Sequence, residues 1–412
     1  MLNLRMMPIN ISYIKAGKQF GKSGLWCIAV LCAAMILLSY YVSVKIDEIN
    51  TDNALPLIAQ NYVDNLYANV TLRPDNSYSY YVKARKSMSA ANNNEDKLQA
   101  YTPALQLIRQ GFQFRYEKPQ NAPEMDFLNS YMLTAAQLFR QESQAEAGKK
   151  NWAAAANSAV DSVRLGEDIS HGNWVDMLTG GTCEGLALKS LQKTVNHIDQ
   201  NTARILAKRL EKIIAQQARF ADIIQAEKRQ GLHYYDEFAK SPDWRKQYPT
   251  KKSLKEMRKD YVGAMDGFIA NAKLPYPHRK TSIHVPDDPI NREILGVWDD
   301  SKFKELGTVQ GLPLTILHTR NALFLLEFAL RAYRLQHGNY PQTLSKLVPG
   351  YLQKIPDDPF AAHSPLKYKR NETAYILYSI GPDGKDDGGK EIKGNRIFVG
   401  KKGDILASSS DY

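Results

Sequence analysis

The sequence predicts a mostly α-helical protein that ends in a small α+β module and begins with a single transmembrane helix. Three observations carry this expectation. Residues 23–44 hold no charge, and apolar residues recur at three- and four-residue spacing from Asn53 to about Ala272. After Pro313 one strong helix gives way to short strands punctuated by Gly and Pro.

The N-terminal element comes first. The stretch Ser23–Val44 (SGLWCIAVLCAAMILLSYYVSV) has the length needed to cross a bilayer, about 20 residues, with Trp26, Tyr40 and Tyr41 near its ends. Arg5, Lys15, Lys18 and Lys22 precede it without an acid, so residues 1–22 are expected in the cytoplasm and the bulk beyond Lys45 on the outer side of the membrane. No A-x-A pattern follows the apolar run, which favours an uncleaved anchor over a signal peptide. Cys27 and Cys32 lie in that run, leaving Cys183 as a single thiol that cannot close an internal disulfide.

A chain of 412 residues exceeds one ordinary domain, and 43% apolar with 24% charged residues suits packed cores and excludes disorder. The mean hydropathy of −0.43 excludes a polytopic transporter. The net charge is +11, part of it in the acid-free segment before Asp47. The remainder favours anionic lipid or cell-wall polymer and carries no nucleic-acid signature.

Residues 45–274 read as an α-helical domain. Leu55, Ile58, Tyr62 and Leu66 form one apolar face, and Phe127, Tyr131, Ala135, Leu138 and Phe139 form another. Ile205, Leu206, Leu210, Ile213, Ile214, Phe220, Ile223 and Ile224 form a third. Breaks are expected at Arg73–Asn76, Asn92–Asn94, Lys118–Pro123, Gly148 and Gly180–Gly181. The run from Tyr131 through Trp152 to Gly166 suits a helix pair closed by small residues. A repeat solenoid needs at least three such units, and no second is found. The basic run 245–259 is read as a solvated helix face, with contact to anionic lipid or cell-wall polymer as the functional alternative. Residues 275–311, with Pro275, Pro277, Pro286 and Pro289, read as a linker or extended wrap.

Residues 312–412 form the last unit. A helix runs through Ile316, Leu323, Leu326, Leu330 and Tyr333 to Gly338. Then come Asn339-Tyr340-Pro341, the pair Leu344 and Leu347, the turn Pro356-Asp357-Asp358-Pro359-Phe360, strands near Leu366–Lys369 and Ala374–Ser379, and the loop Gly381-Pro-Asp383-Gly-Lys-Asp386-Asp387-Gly-Gly389. In order and spacing, Ala322–Gly389 resembles the soluble domain of the major pseudopilin of type II secretion systems. Three features depart from that family: the apolar N-terminal run holds no acid, no prepilin cleavage pattern is visible, and a long helical region separates run from module. The resemblance implies a small antiparallel sheet, a secretion- or pilus-related envelope protein partner, and calcium held by Asp383, Asp386 and Asp387, an oxygen-rich set of the kind calcium takes.

No H-E-x-x-H, G-x-S-x-G or complete phosphate loop occurs. With the resemblance, the sequence therefore reads as a non-catalytic envelope protein for binding, scaffolding or assembly, anchored by a single pass in a bacterial inner membrane with its C-terminal bulk in the periplasm. The alternatives are a periplasmic hydrolase of cell-wall or sugar polymer, using acids such as Asp287–Asp288, Asp299–Asp300 and Asp357–Asp358, and a peptide-binding helical module.

Overall fold

The computed structural model describes residues 65–90, 97–119, 121–123, 128–240, 243–299, 309–371, 373–394 and 397–407. Helices dominate. In chain order they are α1 (Ser77–Ser89), α2 (Lys97–Gly111), α3 (Leu128–Gly148), α4 (Trp152–Ile169), α5 (Trp174–Thr194), α6 (Gln200–Ile214), α7 (Phe220–Lys240), the short α8 (Trp244–Gln247), α9 (Leu254–Ala272), α10 (Pro289–Asp299) and α11 (Leu312–His337). A small antiparallel sheet closes the chain, in the order β1 (Lys367–Arg370), β2 (Tyr375–Ser379), β3 (Ile405–Leu406).

Local chemistry sets the helix starts. Asn76, Asn173, Asp199 and Ser253 each accept a first-turn N–H through the side chain, and Asn173/Asp176 and Ser253/Glu256 close full capping boxes. Gly338, at φ 77°, ends α11 and donates its N–H to the Arg334 carbonyl. The pairing of Tyr368 with Leu377 and of Ser379 with Ile405 fixes the register of the sheet.

Three apolar cores hold these elements. One gathers α1, α2 and α3 against α4 and α5, through residues such as Tyr81, Ile108, Phe139 and Leu186. A second joins α7, α9, α10 and the start of α11 around Phe220, Tyr261, Phe268 and Leu314. The third runs through α4, α5, α6 and α11 into the sheet, so Leu206, Phe328, Phe360 and Leu377 share one interior. The C-terminal sheet is thus built onto the same core as the helical body.

Several expectations change. The single-pass, inner-membrane arrangement is corrected: among the described residues no helix is long and apolar enough to cross a membrane. The longest, α11, is interrupted by Arg320, Glu327, Arg331 and Arg334. The 23–44 run on which the expectation rested lies outside the described residues, as does Asn92–Asn94. Gly180 and Gly181, expected to break a helix, lie inside α5. Within 275–311, expected to be extended, Tyr276–His278 forms a 3₁₀ turn and Pro289–Asp299 a helix. Its start is held by Asp288, which accepts from the Asn291 main chain and side chain at 2.9 and 2.6 Å.

Candidate functional site

Gly180 explains why the chain stays helical there. A Cβ on Gly180 would stand 2.2 Å from the Gly166 carbonyl oxygen, and one on Gly166 would stand 2.4 Å from the Gly180 carbonyl oxygen. Helices α4 and α5 therefore cross with their backbones in contact, an approach that only glycine permits. The crossing brings acids from both helices into one interior.

Those acids are Glu167, Asp168 and Glu184, each almost fully buried. Glu167 accepts the Ala218 N–H at 2.7 Å and stands 3.8 Å from His171 Nε2. Burial pushes its carboxyl up to about 7. Glu184 Oε2 accepts from Asn321 Nδ2 at 2.8 Å. Its carboxyl is raised well above the ordinary range, first by burial and then by the charge of Glu167. Asp168 accepts from the Tyr81 hydroxyl and pairs with Arg164 Nε at 3.0 Å, while burial still raises it.

The bond from Ala218 to Glu167 fixes the segment leading into α7, and that segment lines a cleft of 530 Å³. Its walls are Gln217–Asp222, the end of α9 at Ala272 and Lys273, Arg279, and Leu314, Thr315 and His318 in the first turns of α11. The two helix starts are locked together at Gly311, whose φ of 72° requires glycine. A Cβ there would also stand 2.8 Å from the Phe220 ring.

Arg279 is the most constrained cation in the cleft. Its Nε donates to the Leu274 carbonyl at 2.8 Å and its Nη1 to the Gln310 carbonyl at 2.7 Å. Its guanidinium carbon lies 5.1 Å from the centroid of the Phe220 ring. Burial pushes it down to about 10, with only Tyr276 acting the other way. Lys273 and Arg219 add positive charge at the rim, where Arg219 pairs with Asp222 through two contacts, at 2.7 and 2.9 Å. His318 is held neutral, pushed down to about 4 by burial and by Arg279 and His171. Its Nε2 is sealed from solvent and has no partner among the described residues.

The acids singled out in the sequence lie elsewhere, in the loop after β2. Asp386 accepts from the Tyr378 hydroxyl at 2.9 Å and from the Gly388 N–H at 3.0 Å, and Lys367 Nζ stands 3.7 Å away. Asp387 accepts the Gly403 N–H at 3.0 Å, and Asp383 accepts the Lys385 N–H at 3.2 Å. Asp404, not singled out in the sequence, is fully buried and takes N–H groups from Asp387, Gly389 and Lys390. These carboxylates face protons, and among the described residues no group of three His, Cys, Asp or Glu side chains is placed to hold a metal ion. Asp358, from another pair, is a buried anchor: it accepts from Ser379 Oγ, Ile380 N and Phe360 N at 2.6 to 3.0 Å. Asp287 pairs with Arg292 at the surface, and Asp299 ends α10. Asp300 lies outside the described residues, and Asp287, Asp358, Asp383, Asp386, Asp387 and Asp404 are not among the residues that line the cleft.

Cys183 is a buried free thiol that burial pushes up, and its Sγ lies 3.8 Å from the Met132 carbonyl. Sequence reasoning passed over Arg279, His318, Glu167 and Glu184. The one available signal was an acid inside an apolar stretch, as where Glu184 follows Cys183 and precedes Leu186 and Ala187. In the comparisons with known proteins, no family model, curated protein or solved structure matches the chain.

Proposed function

We propose that the chain is a non-catalytic binding protein whose ligand site is the cleft between α7, α9 and α11. The region Ala322–Gly389, which resembles the pseudopilin domain in motif order, serves in this reading as a docking unit for a protein partner. The observation that carries the reading is the chemistry of the cleft walls. They offer fixed donors and an aromatic ring, and among the described residues their single carboxylate, Asp222, is occupied by Arg219. A base near His318's level of about 4 takes up almost no proton at neutral pH, which suits holding a ligand better than general-base catalysis.

A hydrolase would be favoured by two or more carboxylates converging on the cleft, as an acid–base pair requires. The test is a thermal-shift screen of the full chain against small metabolites and soluble cell-wall fragments, with product analysis of each mixture. The reading predicts a saturable rise in melting temperature, by mass action, with ligand recovered unchanged. Turnover that disappears in His318→Ala would overturn it.

A further inference from the structure

The cleft's charges narrow what it holds. Arg279 is half-buried, and a cation partly withdrawn from water is costly unless a counter-charge or hydrogen bonds compensate it. Arg279 has two carbonyls and the face of Phe220, and no carboxylate among the described residues is its partner. Those contacts hold Nε and Nη1. Guanidinium carries five donors in a planar fork, so donors remain for a further acceptor.

The first turn of α7 forms another part of the wall, with its Phe220 ring against the Arg279 guanidinium. Ala218 gives its N–H to Glu167, and Asp222 and Ile223 give theirs to the Arg219 carbonyl, which leaves the N–H groups of Phe220 and Ala221 with no preceding helical carbonyl to bond. A helix start also carries partial positive charge, and α7 is 21 residues long. His318 and Gln217 also belong to the lining, and the Nε2 of each is sealed from water without a partner among the described residues. Lys273 brings another positive charge, while Asp222 is neutralised by Arg219.

We propose that the cleft binds the oxyanion group of a small ligand, a phosphate or a carboxylate, between the Arg279 guanidinium and the first turn of α7. Phe220 supports the guanidinium from below, and the remainder of the ligand occupies the space toward Leu314 and Thr315. This inference rests on the cleft being the binding site and adds the class of ligand it takes.

The experiment is isothermal titration of the full chain at low ionic strength with inorganic phosphate, sodium acetate, glucose and methylammonium chloride. Saturable binding of phosphate or acetate is expected, with neither glucose nor methylammonium competing. The stronger of the two anions identifies the group as phosphate or carboxylate. Arg279→Ala is expected to weaken that binding by about tenfold or more, the loss of a charge-assisted contact. Arg279→Lys, which keeps the charge and loses the fork, should fall between. If Arg279→Ala does not fold, Arg279→Lys and Lys273→Ala carry the test. Lys255→Ala, on the outer face of α9, should change nothing. Binding of neither anion overturns the inference. If a neutral compound from the thermal-shift screen binds with affinity unchanged in Arg279→Lys, the anion class fails and the cleft stands. If Leu314→Trp, which fills the cleft, leaves every binding event intact, the cleft itself fails as the site.

Discussion

Two groups of acids occupy this molecule, and they are handled in opposite ways. In the loop after β2, Asp383, Asp386 and Asp387 sit at or near the surface, and each finds main-chain N–H groups within its own turn or from Gly403. In the helical body, Glu167 and Glu184 are sealed where two helices touch, and burial raises both. The first group satisfies local turn chemistry and costs little. The second is expensive and survives only because close helix packing and a few hydrogen bonds compensate it. Clustered acids in a sequence are thus settled by local turn chemistry, whereas isolated charges brought together by packing carry the larger energetic cost.

The contrast breaks most severely at the helix crossing. Gly180→Ala places a methyl group against the Gly166 carbonyl, and neither backbone can yield without separating α4 from α5. Overpacking of this kind is expected to cost about 3 kcal/mol, read as a fall in the denaturation midpoint. A stability within experimental error of the native chain would mean that the helices are not in contact there.

A smaller effect sharpens the cost of burial. Glu327, inside α11, is pushed up to about 8 by burial alone, from an ordinary value of 4.5. The fold thus accommodates the protonated acid. That contribution is complete below about pH 4.5 and is lost as pH rises toward 8. Glu327→Gln, which stays neutral, should match the native unfolding free energy at pH 4 and exceed it at pH 9, by roughly 2–4 kcal/mol at most. An equal gap at both pH values would show that ionisation is not the cause.

The smallest effect belongs to the acidic loop. Asp386→Ala removes an acceptor from Tyr378 and Gly388 near the surface, a change expected to stay within about 1 kcal/mol. Because these carboxylates already face N–H donors, millimolar calcium is expected to leave the melting temperature of the full chain unchanged. A calcium-dependent rise that Asp386→Ala abolishes would show that the loop rearranges around a cation, as the pseudopilin resemblance implies.

How far the sequence could be read follows the same division. Elements set by local chemistry were legible: α11 ending at Gly338, the strands around Tyr368 and Leu377, and the helices marked by three- and four-residue spacing around Leu138 and Leu206, while the face through Leu55, Ile58 and Tyr62 lies outside the described residues. Elements set by tertiary contact were not. Gly180 and Gly181 carry the composition of a break, yet the close approach of Gly166 holds them in a helix. The prolines between 275 and 311 suggested an extended wrap, but Pro289 opens α10, a position where its missing N–H costs nothing. Strand β3 is two residues long, too short to show alternation. The cleft draws on four separated segments, so no local pattern marks it.

Hydrogen exchange of the full chain with and without saturating phosphate compares the two regions directly. Slowed exchange at 218–223 and 312–318, with 383–389 unchanged, is the predicted result. Slowed exchange confined to 383–389 would place the ligand in the acidic loop and contradict the account.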